Sequence, residues 1–138
     1  MSTFLLPELT EETAPFWEGT ARGELLVQRC DGCGRLRFPP RPVCPWCRSF
    51  DATWDRLSGR GTVWSWAVPH PPLLPAYAEI APYAVAVVTL DEDPTIRMLG
   101  MLDGDADEIG IGGAVEVVFP EPVEDVVLPR WRAASGST

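Results

Sequence analysis

The sequence predicts a mainly β protein: a short N-terminal helix, then a zinc ribbon, then a five-stranded barrel of the OB type. Three observations carry that expectation. Two tight cysteine pairs, Cys30-Asp31-Gly32-Cys33 and Cys44-Pro45-Trp46-Cys47, stand ten residues apart, the spacing of two knuckles that grip one tetrahedral Zn²⁺. Beyond residue 60 the chain reads as five short apolar runs with a break after the third. With 138 residues and 46% hydrophobic content, the chain suits one compact unit, or two very small ones sharing an interface. A Greek-key sandwich of similar size is the main alternative architecture.

Taken in order, Thr13 to Arg22 reads as a helix with Thr13 as N-cap, Pro15 in the first turn and Gly23 at the C-cap. Phe16 and Trp17 are its apolar anchors. Leu25 to Arg29 is a strand into the first knuckle, and Arg35 to Phe38 returns from it. Gly32 and Gly34 give the backbone freedom to turn amides towards sulfur, while Pro45 stiffens the second knuckle. Pro39-Pro40-Arg41-Pro42 is an extended segment that delivers the chain to Cys44. Ala52 to Leu57 is a further strand, and Ser58-Gly59-Arg60-Gly61 marks a module boundary.

In the second half, Thr62 to Val68 alternates Thr62, Trp64, Trp66 and Val68 against Val63, Ser65 and Ala67. Tyr83 to Leu90 is apolar on both faces, which suits a central or covered strand. Asp91 to Pro94 is a turn, followed by strands at Thr95 to Leu102, Ala114 to Phe119 and Val126 to Trp131. Asp103 to Gly113 leaves room for one helical turn. The division expected is 1–23 helical segment, 24–58 ribbon, 59–132 OB barrel, and 133–138 a frayed, disordered tail. A partly open barrel is expected. The fourteen residues from Pro69 to Pro82 are too many for a plain hairpin, and long loops in this position either bind something or plug a barrel end.

Charge is unevenly placed. The total is −9; residues 20–60 hold eight arginines against four acids, and residues 61–138 hold three against twelve. Lysine is absent. An acidic barrel repels a phosphate backbone, so a zinc-ribbon/OB nucleic-acid module, with Trp64, Trp66 and Tyr83 stacking on bases, is the second reading and not the first. The uncharged run from Gly61 to Ala78 is broken by four prolines, which excludes a membrane helix. Met1 to Glu12 has no basic region ahead of Phe4-Leu5-Leu6, so no signal peptide is expected, and a cytoplasmic, reducing setting agrees with zinc over disulfides.

The residues offer little for catalysis. Without lysine there is no Schiff-base chemistry, and with Cys30, Cys33, Cys44 and Cys47 all on zinc no thiolate nucleophile remains. Four protein ligands also close the metal, making it structural, one ion per chain. The single histidine, His70, sits in the long loop with Tyr77 and Tyr83 as possible neighbours. Asp103 to Glu108 misses the calcium-loop pattern, because its sixth residue is Glu108 and its twelfth is Ala114. The chain is poorly equipped to act as an enzyme alone.

Phe16-Trp17-Glu18-Gly19, Gly23-Glu24-Leu25, the two knuckles, Pro39-Pro40-Arg41, Gly59-x-Gly61-Thr62-Val63, His70 and Pro82-Tyr83 occur here in one order. From about Thr13 to Pro129 the chain thereby resembles the OB-fold acyl-CoA-associated family with a rubredoxin-like zinc ribbon, formerly a domain of unknown function. The resemblance implies an accessory subunit beside thiolase-superfamily enzymes: thiolases, hydroxymethylglutaryl-CoA synthase complexes, or steroid side-chain retro-aldolases. Some family members accompany MaoC-type hydratases instead. It further implies a hetero-oligomer that meets acyl-CoA through its partner. No catalytic residue carries over. Phe16, Trp17, Arg41, His70, Tyr77 and Tyr83 are the expected partner or acyl-CoA contacts, and Arg35, Arg37, Arg41 and Arg48 face either CoA phosphates or solvent and local acids.

Overall fold

The structure is a computed structural model that describes residues 7, 9–70, 83–104 and 109–134. Helix α1 spans Ala14–Ala21, with Thr13 at the N-cap and Pro15 in the first turn. The Thr13 hydroxyl does not cap its own helix. It accepts from the Thr10 amide, and the Thr13 amide donates to the Thr10 hydroxyl, each at 3.2 Å. The helix stops because Gly23, just past the Arg22 cap, takes the left-handed φ of +76° that glycine tolerates.

The ribbon is a three-stranded antiparallel sheet in the order β2-β1-β3, from β1 (Leu25–Cys30), β2 (Leu36–Arg37) and β3 (Ala52–Leu57). Register runs from Leu25↔Leu57 to Cys30↔Ala52. The central strand β1 is buried everywhere but Arg29, and Arg29 pairs across to Asp55. The returning strand is shorter than the four residues expected, since only Gln28↔Arg37 and Arg29↔Leu36 pair before Pro39 takes the chain away.

Five strands follow: β4 (Arg60–Ala67), β5 (Ala84–Leu90), β6 (Asp93–Asp103), β7 (Ala114–Val118) and β8 (Arg130–Ala133). Their order, β4-β5-β6-β8-β7, is that of a five-stranded OB barrel, with β6 and β8 parallel. The barrel is closed, not partly open: Arg60↔Glu116, Gly61↔Val115 and Thr62↔Ala114 join its ends.

Three expectations need correction. Trp64 and Trp66 do not share a face. The register against β5 slips between Val63 and Ser65, and this bulge brings Val63 and Trp66 to the inside while Trp64 points out. The last strand starts at Arg130 and not at Val126. Glu124 and Asp125 adopt positive φ in a tight turn closed by Val123 and Val126, and Pro129 has no N–H to give a ladder. The tail is also tied further than expected, since Ala133 pairs with Val115 and the Ala134 amide bonds Ala114 at 3.0 Å. Residues 105–108 of the expected turn at 103–113, residues 71–82 of the long loop and residues 135–138 of the tail lie outside the described residues.

Ribbon and barrel share one core. Phe16, Leu25, Val27, Leu36 and Leu57 belong to the same buried cluster as Val63, Ala86, Val88, Leu90, Met98, Val115 and Trp131. The inner face of β5 is Ala84, Ala86, Val88 and Leu90, alternating with half-buried Val85, Val87 and Thr89. Strand crossing over this core is close: a Cβ at Gly61 would lie 2.5 Å from both the Thr89 carbonyl oxygen and Val88 Cγ1. Gly61→Ala is therefore expected to cost about 2 kcal/mol through overpacking, read as a melting-temperature fall of roughly 6–10 °C. An unchanged melt would mean that β4 and β5 sit farther apart than described.

Candidate metal centre and apolar groove

The first knuckle turns where the Cys30 carbonyl accepts from Gly34 N (2.9 Å) and Cys30 N donates to Arg35 O (2.8 Å). The second repeats the device with Arg48 N to Cys44 O and Cys44 N to Ser49 O, both 2.9 Å. These turns point four sulfurs inward, all within 4.8 Å of one another, with Cys30–Cys47 at 3.4 Å and Cys33–Cys44 at 3.7 Å. A tetrahedron with Zn–S bonds of about 2.3 Å has sulfurs about 3.8 Å apart, so the residues fit the ion. All four thiols are free of disulfides. Gly32 belongs to the cradle, since a Cβ there would come within 3.1 Å of Cys47 Sγ. The expected zinc ligands are thus the ones the fold assembles.

The electrostatics show what the metal relieves. In the metal-free chain the Cys33 amide, with smaller help from Cys47 and Gly32, lowers Cys30. Burial raises Cys44, but the Cys47 and Trp46 amides and the neighbouring Cys33 outweigh it and bring it to about 6. For Cys47 the Ser49 amide favours the thiolate, yet the facing Cys30 sulfur, burial and Cys44 together push it up to about 12. Four sulfurs this close cannot all ionise alone. A dication at their centre removes the conflict.

A second feature lies over the outer face of β5 and β6, against α1. It is an apolar groove of about 720 Å³ whose walls include Phe16, Trp17, Phe38, Tyr83, Leu99 and Met101, within the range of ligand-sized sites. Phe16 meets Trp17 edge-on at 4.9 Å and tilts against Phe38 at 5.9 Å. Leu99 on the rim is 65% exposed. Arg97, also in the wall, lies 4.0 Å over the exposed ring of Trp64. Arg130 closes one side, held to Asp103 at 2.5 Å.

Of the expected contact residues, Phe16, Trp17 and Tyr83 come together in this groove. Arg41 does not; it lines a separate, smaller cavity beside the ribbon. His70 is exposed at the end of β4's strand path and borders neither cavity. Tyr77 lies outside the described residues. Sequence reasoning missed Phe38, Leu99 and Met101. The signal was present in Arg97-Met98-Leu99-Gly100-Met101, where Met98 faces the core and Leu99 and Met101 are outward apolar residues with no solvent rationale. Among the described residues, no helix is long and apolar enough to cross a membrane.

Comparison with known proteins agrees with this geometry. Residues 17–52 match the family model "ChsH2, rubredoxin-like zinc ribbon domain", and residues 54–120 match "ChsH2, C-terminal OB-fold domain". A "DUF35 domain-containing scaffold protein" of Methanothermobacter thermautotrophicus is 35% identical over 116 residues, covering 83% of this chain and 86% of the relative. The "3-oxo-4,17-pregnadiene-20-carboxyl-CoA hydratase alpha subunit" of Mycobacterium tuberculosis is 38% identical over 126 residues, 91% of this chain but only 37% of that subunit's length. Among solved structures, the "Ltp2-ChsH2(DUF35) aldolase" superposes with a TM-score of 0.78 at 35% identity, covering 93% of this chain and 98% of that one.

Proposed function

Since the chain belongs to the DUF35 family of ChsH2-type zinc-ribbon/OB-fold proteins, we propose that it is a non-catalytic accessory subunit. In this reading it docks on a thiolase-superfamily enzyme, of the thiolase or retro-aldolase type, and supports acyl-CoA binding and turnover by the complex in the cytoplasm. The observation that carries the proposal is the apolar groove walled by Phe16, Trp17, Tyr83 and exposed Leu99: it offers continuous apolar surface and aromatic anchors, which suit an obligate interface. The relatives support the same assignment, one being a scaffold protein and another part of an aldolase. The zinc braces the ribbon, and the shared core transmits that bracing to the groove.

Within the complex, the reacting groups belong to the partner. In this reading His70 supports turnover more than assembly. The test is assembly: co-expressed with a thiolase-fold enzyme encoded beside it, the chain should elute as one hetero-oligomer in size-exclusion chromatography. Separate elution with every condensing or carbon–carbon-cleaving enzyme offered would overturn the proposal.

A further inference from the structure

The outer face of β6 carries Arg97, Leu99 and Met101, in alternation with buried Ile96 and Met98. Register sets Arg97 opposite Thr89 and Leu99 opposite Val87. Across β5, the bulge in β4 turns Trp64 outward, and the Arg97 guanidinium lies 4.0 Å over its ring. The stack holds the arginine against the barrel wall while both residues stay exposed. Arg97 is set apart by what it lacks. Residues 61–138 hold three arginines against twelve acids. Arg130 pairs with Asp103, and Arg132 with Glu116. Among the described residues Arg97 forms no ion pair, and Glu121, the one acid in the groove wall, is not paired with it. Two strand residues span about 7 Å, so a partner that covers exposed Leu99 also reaches Arg97 in the same wall. A wholly apolar partner would strip water from an uncompensated cation, which is strongly unfavourable.

Resting on the docking reading above, we propose that Arg97 selects the partner: the protein segment seated in the groove is apolar where it meets Leu99 and Trp17, and it carries an Asp or Glu that pairs with Arg97. Arginine suits this task, because its fork takes both oxygens of a carboxylate while its flat face stays on Trp64. The stack also reduces the side-chain freedom lost on pairing, since the guanidinium is already held. The rest of the barrel, acidic in total, repels the same carboxylate in any other position. One ion pair thereby fixes the orientation of the docked segment as well as its identity.

The experiment uses the zinc-loaded full chain with the thiolase-fold enzyme encoded beside it, and reads dissociation constants at about 50 and 300 mM NaCl. Arg97→Gln should weaken binding about tenfold at low salt and flatten its salt dependence. Arg97→Glu should weaken it about a hundredfold, and exchange of one partner carboxylate for arginine should restore much of that loss. Arg97→Lys keeps the charge without the fork, and should retain the native salt dependence at reduced affinity. Each isolated variant should melt within about 4 °C of the native chain, because only an exposed stack is altered. Leu99→Arg separates this proposal from the docking reading. If Leu99→Arg abolishes assembly but Arg97→Glu binds with native affinity and salt dependence, the docking surface stands and the carboxylate is wrong. If the native chain assembles with no enzyme offered, both fall. Saturable binding of sodium decanoate to the chain alone, weakened by Arg97→Gln, would make a small amphiphilic acid the occupant and overturn the proposal. Dimerisation of the chain alone that Arg97→Glu abolishes would overturn it in favour of a second copy.

Discussion

Replacing Cys44 by serine is expected to weaken zinc binding and loosen the ribbon, the largest single effect in this chain. Structural zinc sites in small finger peptides hold the metal by about 10–16 kcal/mol, so losing one of four thiolates removes on the order of 3 kcal/mol, a weakening of about a hundredfold. Cys44 is fully buried, which leaves no solvent ligand to take its place. Because Leu25, Val27, Leu36 and Leu57 of the ribbon sit in one cluster with the barrel residues, the damage should not stop at the ribbon. Metal analysis should find well under one equivalent, and the cooperative melt should shift or split. Acid should act in the same direction. A thiol whose pKa is lowered favours its anion in the folded chain, so its contribution is complete above the ordinary thiol value of 9.0 and lost as pH falls through about 6. Because protons compete with the metal for all four thiolates, zinc affinity should also weaken steadily as pH falls.

Leu99→Arg should abolish assembly with the partner while leaving the isolated chain folded. Leu99 is the most exposed apolar residue of the groove, on the outer face of β6, so arginine there is solvated in the free protein. At a docked interface the same charge would be desolvated without a partner, next to Arg97. A loss of about a hundredfold in affinity, or 2.7 kcal/mol, is the expected scale. Trp17→Ala provides the subtractive counterpart, since the half-buried ring packs edge-on against Phe16 and lines the groove. The two variants should melt close to the native chain in the first case and measurably below it in the second. Native-like affinity in Leu99→Arg would place the docking surface elsewhere.

Much of the fold was legible because short-range rules wrote it. Cysteine spacing fixed the metal centre, Gly23 and Pro15 bounded the helix, and period-two apolar runs located β5 and β6 to within two residues. What escaped depends on contacts between distant segments. The bulge at Trp64 follows from how β4 meets β5, and alternation inside one strand carries no trace of it. The late start of β8 follows from a turn at Glu124 and Asp125, two residues whose types do not demand positive φ. Burial of Arg37 was hidden for the same reason: among so many ribbon arginines, only the approach of Thr95 and Ile96 from the barrel singles one out. The groove was half legible. Phe16, Trp17 and Tyr83 stood out as aromatics, but Phe38 and Leu99 reach it only through the packing of α1 and β2 on the barrel.

The measurement that bears most directly on the accessory role is acyl-CoA turnover by three samples at equal concentration: this chain alone, the thiolase-fold partner alone, and the reconstituted complex. The chain alone should be inactive, and the complex should exceed the partner alone. Turnover of acyl-CoA by the zinc-loaded chain without any partner would contradict the assignment.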